Sequence, residues 1–156
     1  MRENKAFSLV EILIVIGLVG LILTVVVFIL NIRQSEMRNT KRISDMQGIR
    51  SALEVIKNEN GSYEKAFCDL GIVSACGTKS ASELLKIIPE LSALDDPAEK
   101  QTACAAKDVC STKNCNYAIT KLEPDDYEIL FHLERGINEF QGAGCYRLSP
   151  RGIERY

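Results

Sequence analysis

Residues 6–32 read AFSLVEILIVIGLVGLILTVVVFILNI, and from Ile12 to Ile32 none of them is charged. Wound as a helix at about 1.5 Å per residue, that run is about 30 Å long, the thickness of a bilayer's hydrocarbon core. The stretch therefore predicts a membrane span. Glu11 sits directly against it. An ionised carboxylate in lipid costs about 2.5 to 3.5 kcal/mol on insertion scales, so this acid calls for a partner. A secretory signal fits poorly, because the run exceeds the usual ~7 to 15 residue apolar core and no small-x-small site follows it. Only Asn31, Ile32, Arg33 and Gln34 come next.

Beyond Ile32 the pattern turns amphipathic with no proline. Ile43, Met46, Ile49, Leu53 and Ile56 recur at steps of three and four, which is one helical stripe. The same helix is expected to continue through residues 33–60 and to stop at Asn60 and Gly61, where a left-handed residue can end it. Such a helix is too long to be buried in one small domain. Arg38, Lys41, Arg42, Asp45 and Arg50 are assigned to its solvated faces. Acidic residues interleave with these cations and no aromatic does, and the formal net charge is −2, so no nucleic-acid surface is read there.

Residues 61–156 leave room for one modest head domain. Ser80 and Glu83 form a capping-box pattern ahead of Leu84, Leu85, Ile87 and Ile88, predicting a short helix that ends at Pro89. Asp95, Asp96 and Pro97 mark a turn. Tyr117 and Ile119, then Tyr127, Ile129, Phe131 and Leu133, alternate with their neighbours as two half-buried antiparallel strands, and Cys145–Ser149 is a third. A sheet with one apolar face and a helix with one apolar stripe suit each other. The expected fold is thus α+β, a long N-terminal spine helix on a small antiparallel sheet.

The polar leader MRENKA, followed by FSLVE and an apolar helix, resembles the N-terminus of type IV pilins and of the pseudopilins of type II secretion, and ALEVIKNENGSYEK at residues 52–65 resembles the end of the pseudopilin spine helix. Ala6, Phe28 and Glu64 stand where many members carry Gly, Pro and Pro. The resemblance implies that a prepilin peptidase removes residues 1–6, cutting between Ala6 and Phe7, and that the new amine of Phe7 is methylated. Residues 7–32 would then serve first as a transmembrane helix and later in a filament core, with Glu11 the assembly residue. Its carboxylate would pair with the Phe7 amine of a neighbouring copy. Implied partners are identical subunits, an assembly ATPase and an inner-membrane platform protein. The alternative is a singly anchored extracytoplasmic binding domain that never polymerises.

Six cysteines, Cys68, Cys76, Cys104, Cys110, Cys115 and Cys145, all follow the span, which favours an oxidising compartment for residues 33–156. The positive-inside bias points the other way, with Arg2 and Lys5 before the span against Arg33, Arg38, Lys41, Arg42 and Arg50 after it. The leader and the cysteines outweigh that bias, placing the N-terminus in the cytoplasm and the head outside, as a single-pass protein of the cytoplasmic membrane and then as an extracellular or periplasmic filament. Disulfides are preferred to zinc, since no C-x-x-C pair exists and His132 is the one histidine. Expected pairs are Cys68 with Cys76, and Cys145 with one of Cys104, Cys110 or Cys115, each contributing about 2 to 4 kcal/mol.

His132 reads as a surface imidazole on a strand's polar side. Asp95 with Asp96, and Asp125 with Asp126, are the acids a calcium ion would use. Type II secretion major pseudopilins bind calcium in a C-terminal loop, and neither pair matches it. No other cofactor is expected. There is no Gly-rich phosphate loop and no Ser/His/Asp or Cys/His spacing, so no enzyme is read from the chain.

Overall fold

The computed structural model describes residues 9–79 and 82–156. The leader, the Ala6–Phe7 processing site and the Ser80 cap lie outside them. Contacts divide the chain into two units, Met1–Ser35 and Glu36–Tyr156, and helix α1 (Leu9–Asn60) supplies residues to both.

In the first unit every large apolar side chain from Leu9 to Leu30 is at least 44 % exposed. Their helix is the one among the described residues that is long and apolar enough to cross a membrane, with a mean hydropathy of 3.3 in its most apolar window. The Thr24 hydroxyl donates to the Gly20 carbonyl at 2.9 Å, so the segment's hydroxyl is satisfied within the helix itself.

The second unit is the α+β head. Ile43, Met46, Ile49, Leu53 and Ile56 of α1 are all under 9 % exposed, as their periodicity predicts. The helix ends where expected: Gly61 takes φ 71°, and its N–H donates to the Lys57 carbonyl at 2.8 Å. Five antiparallel strands follow in simple meander order, β1 (Gly71–Ile72), β2 (Ala118–Leu122), β3 (Tyr127–Leu133), β4 (Gly144–Ser149) and β5 (Gly152–Arg155). Between β1 and β2 lie 3₁₀ turns at Val73–Thr78 and Leu91–Ala93 and short helices α2 (Leu84–Ile87) and α3 (Lys107–Thr112). The two 3₁₀ turns approach so closely at Gly77 that an added Cβ would lie 2.2 Å from the Ser92 nitrogen, which is why no side chain fits there.

One sheet face packs on the α1 stripe through Ile119, Tyr127, Ile129, Phe131, Leu133, Tyr146 and Leu148, joined by Tyr117 just before β2. Tyr63 closes that core against Tyr127, ring edge to face at 4.9 Å. The other face was expected to be solvated, and here the structure differs. Leu130 and His132 are 1 % and 7 % exposed, and Leu130 belongs to a second small core built with Ala118 and four half-cystines. Helix α3 covers that face, so β3 is buried on both sides.

Candidate functional site

Glu11 lies in the first turn of α1 and is exposed. The unpaired N–H groups of a helix start favour an acid there. From Leu9 to Ile32 it is the one ionisable residue, in a surface otherwise made of Leu, Ile, Val and Phe with Gly17, Gly20, Thr24 and Asn31. The Phe7 amine, its expected partner, falls outside the described residues.

In the head, the charged residues of α1 do not all face solvent. Arg42 is fully buried, which corrects its assignment to a solvated face. Its guanidinium binds Asp96 bidentately, Nε to Oδ2 at 2.6 Å and Nη2 to Oδ1 at 2.9 Å. Nη1 donates to Asn39 Oδ1 and to Glu134 Oε1, both at 2.8 Å, and Nη2 also reaches Asn114 Oδ1 at 3.4 Å. All five donors are therefore used, the condition under which a buried cation is tolerated. Arg38 adds a second fork on Glu134, Nε to Oε1 at 2.7 Å and Nη2 to Oε2 at 2.5 Å. Burial alone would push the Glu134 carboxyl up, but the two guanidiniums outweigh it and hold it below the ordinary value. Burial would likewise lower Arg42, and Asp96 and Glu134 more than restore it.

This node fastens α1 to distant chain. Asp96 also accepts the Ala98 and Glu99 N–H groups at 2.8 and 3.0 Å, which shapes the turn that Pro97 begins. Asn39 donates to the Arg135 carbonyl and accepts the Glu134 N–H, holding the end of β3. Nearby, the buried Tyr117 hydroxyl donates to Asp45 Oδ2 at 2.9 Å, and burial with the Asp45 charge pushes its titration far above the usual range. The sequence did carry a sign of Arg42 and Asn39. Counting back seven residues, two turns, from the buried Ile49 and Met46 lands on them, so they continue the buried stripe.

The cysteines form three bridges, Cys68–Cys76, Cys104–Cys115 and Cys110–Cys145. Of the three partners left open for Cys145, Cys110 is the one bonded. Cys104, Cys110 and Cys115 have sulfurs within 4.8 Å of one another, the spacing of a metal site, but each sulfur is already spent in a disulfide. His132, expected at the surface, is buried because α3 lies over it. Its Nδ1–H donates to the Cys110 carbonyl at 2.6 Å, a direction fixed by the carbonyl's being only an acceptor.

The acidic pairs weighed for calcium have protein partners. Asp95 accepts the Ser74 hydroxyl and the Asn116 amide, and Asp96 holds Arg42. Asp125 pairs with Lys57, and Asp126 with Lys121. A cation at Asp96 would compete with a guanidinium that is internal and already desolvated.

Comparison of the chain with protein-family models, with curated proteins and with solved structures finds no match.

Proposed function

We propose that this chain is a pilin or major pseudopilin, a structural subunit of a type IV filament stored in the membrane through α1 and assembled from there. The observation that carries this reading is the contrast between the uniformly exposed apolar surface from Leu9 to Leu30 and the single acid, Glu11, at its start. A bare anchor has no use for that acid. Placed among copies of itself, the same helix keeps its apolar surface out of water, exchanging lipid for protein without losing about 25 cal/mol per Å². Glu11 then gains a cation, the Phe7 amine of an adjoining subunit, whose charge methylation preserves. Each copy presents its acid to one neighbour and its amine to another, which is a heterologous contact and grows an open helix. The three bridges suit the head to an oxidising exterior, where it would coat the fibre.

The test is Glu11→Ala. Membrane insertion should persist, since removing a charge favours it, while filament growth is crippled. Filament yield equal to wild type would overturn the role of Glu11, and wild-type protein that forms no filament would leave the singly anchored domain as the reading.

A further inference from the structure

The two bridges in the corner beneath α3 are neighbours as well as staples. The sulfurs of Cys104, Cys110 and Cys115 lie within 4.8 Å of one another, and Cys110 is bonded to Cys145. All four cysteines are at most 2 % exposed. A thiolate replaces a disulfide sulfur by direct attack, so its reachable partners decide which exchange occurs. A thiol released inside this corner meets the adjacent bridge before any solvent thiol. Cys68–Cys76 belongs to a different cluster, against the α1 core.

We infer that Cys104–Cys115 and Cys110–Cys145 are one exchange-coupled unit in which Cys110 is the pivot, so that strand β4 is locked by exchange within the corner. The chain order supplies the reason. Cys104, Cys110 and Cys115 fall within twelve residues, whereas Cys145 comes thirty residues after Cys115. Short loops close readily, so an early bridge from Cys110 to Cys104 or to Cys115 is the natural first product. When β4 pairs with β3 it brings Cys145 opposite His132, whose Nδ1 holds the Cys110 carbonyl. The Cys145 thiolate then attacks Cys110 Sγ. The Cys110–Cys145 bond forms, the early bond breaks, and the electron pair leaves on Cys104 or Cys115, with no net oxidation. The two remaining thiols, Cys104 and Cys115, are joined by a disulfide-bearing oxidoreductase, which takes up the two electrons and two protons. Either early bridge thus resolves to the same final pair. The proposal rests on the bridges and is independent of the filament reading.

The experiment uses the full chain in detergent. In Cys145→Ser the Cys110 thiol is left beside an intact bridge. After incubation at pH 8, acid quench and alkylation, label should be divided among Cys104, Cys110 and Cys115. Cys110 should carry at most about half the label that Cys68 carries in Cys76→Ser, where no second bridge is adjacent. Folded wild-type protein given less than one equivalent of dithiothreitol provides the second measurement. Peptide mapping should find Cys104–Cys110 or Cys110–Cys115 linkages, and none joining Cys68 or Cys76 to the other four. Label confined to Cys110 in the variant, no exchanged linkage in wild type, or linkages crossing to Cys68 would each overturn the proposal.

Discussion

One helix carries two opposite surfaces. From Leu9 to Leu30 no apolar side chain is covered by the chain, while from Ile43 to Ile56 the stripe is sealed by the sheet. The difference lies in what each half can find within its own sequence. The second half has a partner, the apolar face of β2–β4, and a lock, since Arg42, Asn39 and Arg38 spend their donors on Asp96, Asn114, Glu134 and the Arg135 carbonyl. Among the described residues the first half has neither, and its burial must come from lipid or from other molecules. Stability should therefore be concentrated in the head, and mutations should separate the two halves.

The largest effect is expected from Arg42→Ala, which leaves Asp96 buried without its cation. Denaturant unfolding of the head should lose about 3 to 5 kcal/mol, the usual cost of orphaning one partner of a buried pair. Ile49→Ala should cost about 2 to 5 kcal/mol by leaving a cavity in the core. By contrast Leu18→Ala, an equal truncation on the uncovered half, should change head stability by less than about 0.5 kcal/mol. Equal losses at Ile49 and Leu18 would break the comparison. A smaller effect is expected from acid. Because Glu134 is held below the ordinary value of 4.5 in the fold, its contribution is complete above that value and disappears as pH falls through the lowered one. Thermal melts of Glu134→Gln across that range should lack this part of the acid limb seen in wild type.

Much of this architecture was legible because periodicity reports burial. The α1 stripe, the stop at Gly61 and the strands around Ile119, Ile129 and Leu148 all announce themselves by spacing. Strands β1 and β5 do not: the first is two residues, Gly71 and Ile72, and the second follows Pro150 and Arg151 with one apolar residue, Ile153. Both are defined by pairing to a neighbour, which local pattern cannot express. Arg42 and His132 were misplaced for a related reason. Composition assigns charged and polar side chains to solvent, and only distant residues reverse that, Asp96 for the first and the α3 cap with its bridges for the second. At Glu11 the sequence speaks as plainly as the structure, since the chemistry expected there involves a second molecule.

The most direct measurement is the intact mass and N-terminal residue of the protein in fibres sheared or released from cells that make it. A chain beginning at N-methylated Phe7 within those fibres, with all six cysteines oxidised, is the expected result. Protein that stays in the membrane fraction as single copies still beginning at Met1, while the assembly machinery is running, would contradict the filament reading outright.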